Sequence, residues 1–278
     1  MPNVAELLRD ATAQLAEASP SARRDAEVLM CHLLGKPRSF LFTWPEHEPA
    51  TSQVAQFVHW IEQRRDGQPV AYLTGRREFF GHEFLVSSDT LIPRPDTELL
   101  VESVLARLPT DQPQRLVDLG TGTGAIAISL ALACEQWQVD AVDFQVAVLD
   151  LVQRNVSRLG AKNVCILQSN WCDNLSERYD AIVSNPPYIA ADDKHLNEGD
   201  VRFEPQTALV AGADGLDDIR KITEQSRAHL NAGGLLAFEH GYDQGAAVAE
   251  ILSRHSFARI ETLKDYADHD RVTLGYAD

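Results

Sequence analysis

The chain has 278 residues, of which 44% are hydrophobic, and its 41 acidic and 25 basic side chains give a formal net charge of −16. This length provides one large domain or two smaller ones, with enough residues for a hydrophobic core. So acidic a surface argues against binding of naked nucleic acid, because non-specific binding to phosphates depends on Lys and Arg.

The cysteines and the N-terminus indicate a protein of a reducing, cytoplasmic compartment. No CxxC spacing occurs among the cysteines, which are Cys31, Cys134, Cys165 and Cys172. Residues 1–15 include charged side chains and no continuous apolar stretch, unlike a signal peptide. The longest apolar run, residues 125–134, is about half the length of a membrane span. We therefore expect free thiols, no metal site and no membrane segment.

Helical periodicity dominates the first quarter of the chain. Apolar residues at helical spacing predict a helix over residues 4–15. Ser19 and Pro20 predict the N-cap and first position of a second helix, and a further helix begins near Thr51. Because no strand separates these helices, we predict a helical domain over residues 1–75. It serves either for recognition of a substrate partner or as a stabilising cap.

A short segment over residues 76–95 is predicted to be a hairpin and linker. Two short strands turn at Gly81-His82, and a proline-stiffened loop follows. Asp96 or Thr97 is then placed to cap the next helix.

From residue 96 to residue 278 the chain is predicted to form the catalytic domain. Strands alternate with helices, which predicts a mostly parallel, doubly wound α/β sheet. A helix over residues 216–230 is expected to end at Gly233-Gly234, before a strand over 235–239. The predicted seven strands end in an antiparallel pair, which is the layout of a class I methyltransferase. They cover residues 116–119, 138–144, 164–168, 179–184, 235–239, 258–263 and 271–275.

A glycine-rich loop joins the first of these strands to its helix and predicts a nucleotide-type cofactor site. Its residues are Gly120, Thr121, Gly122, Thr123 and Gly124. The spacing also fits a dinucleotide fingerprint, and Asp143 at the end of the next strand would bind ribose hydroxyls in either case. The carboxylate of Asp118 suits an ammonium group better than a pyrophosphate, which favours S-adenosylmethionine. Trp171 either covers an adenine or is an ordinary partly buried tryptophan.

The four residues Asn185-Pro186-Pro187-Tyr188 follow a buried strand and predict the reacting end of the site. Two prolines cannot continue the strand because neither has an N–H to donate. Asn185 offers a side-chain carbonyl and Pro186 a free backbone carbonyl, which together can accept both N–H groups of an amide or an exocyclic amine. Tyr188 adds a flat, amphipathic wall. The alternative is a proline-rich turn without function.

These stretches, taken with others, resemble the protein-glutamine methyltransferases that modify peptide chain release factors, the HemK or PrmC family. The matching stretches are residues 69–75, 91–98, 118–125, 184–189, 200–205 and 239–242, and the helical N-terminus also matches. Residues 91–98 and 200–205 are specific to the family, whereas the Asn-Pro-Pro-Tyr end is shared with nucleic-acid amino-methyltransferases.

The resemblance implies S-adenosylmethionine as cofactor and, as substrate, the glutamine in the Gly-Gly-Gln motif of class I release factors. By position it implies cofactor contacts from residues 120–124, Asp143, Trp171 and Asn185, with Asn185 as the amide holder. Asn170 stands where the family usually has Asp, and residues 144–146 replace its commoner polar or proline-containing turn.

Two other functions stay open at this point. An adenine-amino methyltransferase acting on DNA or RNA would use the same two acceptors, although no basic or aromatic-rich recognition segment is present. A non-catalytic adaptor would keep the fold and bind through the helices, which the intact glycine loop and Asn185 argue against. We assign no catalytic histidine, and we expect His240 to shape the pocket.

Overall fold

A computed structural model describes residues 1–278, apart from the side chain of Asn197. The chain divides into two units, of which the first comprises Met1–Arg76 with Asn197–Phe203 and the second Arg77–Leu196 with Glu204–Asp278. Residues 197–203 therefore pack with the helical unit, although they lie within the sequence range predicted for the catalytic domain. None of the described helices is long and apolar enough to cross a membrane.

The first unit is helical, as predicted. Its helices are α1 (Val4–Leu15), α2 (Ala22–Leu34), α3 (Arg38–Thr43), α4 (Thr51–Arg65) and α5 (Val70–Thr74). The prediction that Ser19 and Pro20 open the second helix is wrong, since α2 begins at Ala22. Ser19 instead closes a turn before the helix: its hydroxyl accepts from the Ser21 N–H at 3.1 Å and donates to Asp25 at 2.8 Å.

Apolar faces of these helices form the core of the first unit. Its fully buried members are Val4, Leu7, Ala11, Leu15, Ala26, Leu29, Met30, Leu41, Phe57 and Ile61. A partly buried ion-pair cluster lies at the end of α4, where Arg64 Nε donates to Asp25 Oδ2 and Arg64 Nη1 donates to Asp200 Oδ1, both at 2.7 Å. These bonds tie α2 and residues 197–203 to α4.

The second unit alternates strands and helices, and the first of its strands begins one residue before the unit itself, at Arg76. Its strands are β1 (Arg76–Phe79), β2 (His82–Leu85), β3 (Arg115–Leu119), β4 (Gln138–Asp143), β5 (Val164–Gln168), β6 (Tyr179–Ser184), β7 (Leu230–Glu239), β8 (Phe257–Lys264) and β9 (Asp270–Ala277). Its helices are α6 (Glu98–Leu105), α7 (Ala125–Ala133), α8 (Val146–Leu159), α9 (Asp217–His229) and α10 (Gly245–Arg254).

The main sheet confirms the predicted fold class. Within the described residues it has seven strands in the order β5-β4-β3-β6-β7-β9-β8, and β1 pairs with β2 as a separate hairpin. The strands from β5 to β7 are parallel, while β9 is antiparallel to both of its neighbours. The strand order reverses between β3 and β6, and open α/β sheets bind ligands at the carboxyl ends of strands at such a point.

Two predicted boundaries of the second unit are wrong. Gly233-Gly234 does not end a helix: β7 already begins at Leu230, which pairs with Tyr179, and the register shifts before Leu235 pairs with Ala181. The two glycines lie in this irregularity, where Gly233 has a φ of +73° that other residues adopt only with strain. The hairpin turn lies at Phe80-Gly81, one residue earlier than expected.

Candidate functional site

A cavity of about 560 Å³ lies at the carboxyl ends of β3, β4, β5 and β6. It is lined by most of the predicted site residues, namely Gly120, Thr121, Gly122, Thr123, Asp143, Trp171, Asn185 and Pro187. Of the predicted residues, Gly124, Pro186 and Tyr188 lie outside this lining. The sheet topology therefore brings the glycine loop and the Asn-Pro-Pro segment to one cavity.

The glycine loop has two separate reasons for its small residues. Gly120 and Gly122 have φ values of +71° and +54°, and a Cβ on Gly120 would lie 3.0 Å from the Trp171 ring. Gly124 is the N-cap residue of α7, where a Cβ would lie 3.0 Å from Ile128 and 3.2 Å from Val152. The first two glycines thus keep the cavity wall open, and Gly124 permits close packing beneath it.

Asp118 supports this loop from below. Its Oδ2 accepts from the Thr121 hydroxyl at 2.6 Å and from the Ala127 N–H at 3.2 Å, and the side chain is fully buried. Burial raises the pKa of Asp118 to about 7, despite these bonds. Asp118 does not belong to the cavity lining among the described residues, and its Oδ1 has no hydrogen-bond partner among them. Oδ2 therefore braces the loop, while the expected contact of Asp118 with an ammonium group stays a prediction.

Asp143 presents a carboxylate to the cavity. Oδ2 accepts from the Gly122 N–H at 3.3 Å and Oδ1 from the Gln145 N–H at 3.1 Å. Burial raises the pKa of Asp143, although the backbone donors act in the opposite direction. Each carboxylate oxygen has a further lone pair for a ligand hydroxyl. Phe144, which departs from the family pattern, lines the cavity with 52% of its surface exposed.

Trp171 and its surroundings form an apolar wall. Trp171 has a φ of +55° and contacts the glycine loop at Gly120. Burial raises the pKa of Asp218, which also lines the cavity, and a hydrogen bond from Trp171 acts in the opposite direction. Asn170 lines the cavity beside Trp171, so its carboxamide replaces the family's usual carboxylate at this wall.

Asn185 is oriented by a neighbour that the sequence did not identify as a partner. Its Nδ2 donates to Thr97 Oγ1 at 3.2 Å, whereas its Oδ1 is buried and has no hydrogen-bond partner among the described residues. The Pro186 carbonyl accepts no backbone hydrogen bond among the described residues, but Pro186 does not belong to the cavity lining. Asn185 Oδ1 is therefore an open acceptor at the cavity, and the role of the Pro186 carbonyl stays a prediction.

Tyr188 and His240 lie behind the cavity. The Tyr188 hydroxyl lies 3.5 Å from Glu239 Oε1, and burial raises the pKa of Tyr188. Tyr188 was expected in the cavity wall, but it does not belong to the cavity lining among the described residues. Both ring nitrogens of His240 are engaged, with the Gly241 carbonyl and the Thr273 hydroxyl at 2.8 Å each, and burial lowers its pKa. His240 does not belong to the cavity lining among the described residues, so its expected role in shaping the pocket stays a prediction.

Sequence reasoning missed the contacts that join the two family-specific stretches. Arg94 pairs with Glu204 at 2.6 Å, and the second oxygen of Glu204 accepts from the Ile92 N–H at 3.2 Å. Thr97, one of the two residues expected to cap the next helix, does occupy the N-cap position of α6, but its side chain makes no cap hydrogen bond. The presence of these residues in the stretches 91–98 and 200–205 was the only sequence signal for them.

Comparison with known proteins agrees with the family resemblance of the sequence motifs, over nearly the whole chain. Residues 6–75 match the family described as PrmC N-terminal domain, and residues 95–201 match the Methyltransferase small domain. A protein named release factor glutamine methyltransferase from Escherichia coli (strain K12) is 50% identical over 269 residues, which is 96% of each chain. One of the same name from Pseudomonas aeruginosa is 51% identical over 276 residues, 99% of each chain.

Solved structures resemble the fold at low sequence identity. A methyltransferase from Pyrococcus furiosus has a TM-score of 0.54 and 17% identity, covering 82% of this chain and 98% of its own. The hMettl16 catalytic domain has a TM-score of 0.59 and 17% identity, covering 82% of both chains.

Proposed function

This chain belongs to the release factor glutamine methyltransferase family, and we propose that it methylates the side-chain amide of a glutamine in peptide chain release factors. The target is the glutamine of the Gly-Gly-Gln motif of class I factors. Because release factors act in translation, the reaction takes place in the cytoplasm. The enzyme is a methyltransferase that uses S-adenosylmethionine.

The cavity has the donors, acceptors and open backbone that this cofactor requires. The glycine loop lets a ligand approach the backbone, Asp143 can accept from ribose hydroxyls, and Trp171 offers an apolar plane for adenine. When bound, S-adenosylmethionine supplies a methyl group activated by a positively charged sulfur.

The open acceptor of Asn185 is the observation that carries the proposal. A glutamine amide has two N–H groups, and two acceptors are available for them: Asn185 Oδ1, which has no partner among the described residues, and the backbone carbonyl of Pro186, the next residue in the chain. Accepting both N–H groups would fix the amide nitrogen and favour loss of its conjugation. Orientation of bound reactants can supply about 7–11 kcal/mol of the barrier.

The same acceptors stabilise the positive charge that develops on the amide nitrogen. No strong general base is needed, since the proton can leave after methyl transfer. His240 is consistent with this mechanism, because both of its ring nitrogens are already engaged in hydrogen bonds.

Recognition of the intact factor is proposed to involve the helical unit. A glutamine on a flexible loop contributes little area, whereas specific protein interfaces bury about 1,200–2,000 Å² in total. On the helical unit, Phe42 and Trp44 expose 53% and 54% of their surfaces. Exposed aromatic side chains of this kind are typical anchors in protein interfaces.

One experiment tests this function. Transfer of a tritiated methyl group is measured onto a purified class I release factor, onto the same factor with the glutamine of its Gly-Gly-Gln motif replaced by alanine, and onto RNA and DNA. We expect label only on the factor that keeps the glutamine of its Gly-Gly-Gln motif. Label on nucleic acid, or equal label on the alanine variant, would overturn the proposed substrate.

A further inference from the structure

Glu239 is a buried carboxyl that the proposed reaction does not use directly. It ends β7 and is 1% exposed. Its Oε1 faces the Tyr188 hydroxyl at 3.5 Å, while Oε2 is buried and has no hydrogen-bond partner among the residues described. Burial raises the pKa of Glu239 and the Thr97 hydroxyl lowers it, so this hydroxyl lies close enough to the carboxyl to act on it.

Thr97 therefore lies between Glu239 and Asn185, and a hydroxyl has only one hydrogen to donate. If that hydrogen points to the Glu239 carboxylate, the Thr97 oxygen must accept from its other neighbour. The Asn185 amide satisfies this by turning Nδ2 to Thr97 at 3.2 Å, which leaves Oδ1 as the open acceptor. If the hydrogen pointed to Asn185 instead, Oδ1 would be occupied and Nδ2 would face the substrate.

We propose that Glu239 is a positioning residue that acts through the Thr97 hydroxyl to hold the Asn185 amide with its oxygen, rather than its nitrogen, toward the substrate amide. This inference rests on the proposed function, because only a substrate that donates N–H groups needs the oxygen in that place. An Asn185 turned the other way would bring two donors together.

The charge on Glu239 makes this arrangement sensitive to pH. Burial raises the pKa of Glu239 to about 7, while Thr97, Arg271 and Tyr188 lower it and Asp96 raises it. The Arg271 guanidinium also forms ion pairs with Asp265, at 3.1 Å, and with Asp96, at 3.8 Å.

Below its pKa the carboxyl is protonated, so one of its oxygens becomes a donor and it no longer accepts from both hydroxyls. The Asn185 amide is then free to turn. Turnover at saturating cofactor is expected to fall as the pH falls through about 7.

Three variants separate the orienting role from a packing role. Glu239→Leu still fills the space of the side chain but removes both acceptor oxygens, and we expect a fall in kcat of about tenfold or more. Glu239→Gln keeps one acceptor oxygen and is expected to lie between Glu239→Leu and the wild type, with a turnover that does not change with pH. The wild type at low pH should approach that same value. Glu261→Gln, at an exposed ion pair on β8, is the matched control and should leave kcat unchanged.

Thr97→Val provides the decisive comparison, because it removes the hydroxyl through which Glu239 is proposed to act. In the Thr97→Val background, Glu239→Leu should cause no further loss of kcat, and the acid limb of the pH profile should disappear. Independent, multiplying losses in the double variant would show a packing role and overturn the proposal. An acid limb that persists in Thr97→Val would also overturn it, since Asp118, the other buried carboxyl with a pKa of about 7, is intact there.

Cofactor affinity, measured by calorimetry, shows whether each variant is folded. If Glu239→Leu does not bind cofactor, the pH profile of Thr97→Val still decides the question. Normal turnover of both Glu239 variants on release factor would refute the positioning role and leave the proposed function intact. No turnover by the wild type would refute the proposed function instead.

Discussion

Replacement of Asn185 by alanine is the most informative perturbation of the reacting end. The change removes the open Oδ1 acceptor and the Nδ2 donor that bonds to Thr97 at 3.2 Å. Loss of one preorganised dipole at a reacting centre typically reduces kcat by about 10²–10³-fold, or roughly 2.7–4 kcal/mol. We expect Asn185→Ala to fall in that range.

The fold should survive this change. A single half-buried hydrogen bond contributes about 1 kcal/mol, against a total stability of about 5–15 kcal/mol for a typical protein. Asn231→Ala is the matched control. Asn231 is also half-buried and donates to Asp180 at 2.8 Å, but it lies at the beginning of β7, whereas Asn185 follows the carboxyl end of β6. Its kcat should equal that of the wild type.

The assay is turnover at saturating cofactor and release factor, with circular dichroism and cofactor calorimetry on each variant. Some loss of cofactor affinity in Asn185→Ala agrees with the account, because Asn185 lines the cofactor cavity. A kcat within about threefold of the wild type would refute the amide-holding mechanism, since the proposed dipole effect is far larger.

Four further predictions concern the cofactor site, pH and the helical unit. Asp143→Ala should weaken S-adenosylmethionine binding in calorimetry by about 1.5–3 kcal/mol for each charge-assisted bond lost, and an unchanged Kd would exclude Asp143 as a ligand. Burial raises the pKa of Asp118 from 3.8 to about 7, so its contribution to stability is lost as the pH rises across that window; denaturant titrations should show that Asp118→Asn removes this loss. Arg64→Ala should cost about 3 kcal/mol in chemical denaturation, because it leaves the buried carboxylate of Asp25 without its cation. Replacing Phe42 and Trp44 by alanine should reduce methylation of intact release factor and leave a short Gly-Gly-Gln peptide unaffected; equal rates on intact factor would exclude that surface.

Hydrophobic patterning predicted the fold because it reports burial directly. The apolar run that becomes β6 and the alternation of strands and helices were sufficient for the sheet, and the strand order brought Asp143 and Asn185 to one cavity. Glycine positions were less informative. Gly233-Gly234 fit a helix end and a strand irregularity equally well, and only the pairing of Leu230 with Tyr179 distinguishes them.

The contacts behind the cavity could not be predicted, because they join residues far apart in the sequence. The Asn185–Thr97 bond spans 88 residues, and the Arg94–Glu204 pair spans 110. From its neighbours in the sequence alone, Thr97 was predicted as one of two possible helix caps, because a hydroxyl just before a helix usually has that role. Tyr188 was expected in the cavity wall, but the carboxyl that it faces, Glu239, comes from a strand 51 residues away.

The chemical position of the transferred methyl group tests the central claim most directly. Release factor methylated with labelled S-adenosylmethionine is isolated, its Gly-Gly-Gln peptide is purified, and the peptide is hydrolysed in strong acid. Methylation on the glutamine amide nitrogen predicts that the label is released as methylamine. Label released as methanol by mild base would indicate a carboxyl ester, and label absent from that peptide would indicate another target; either result would contradict the account.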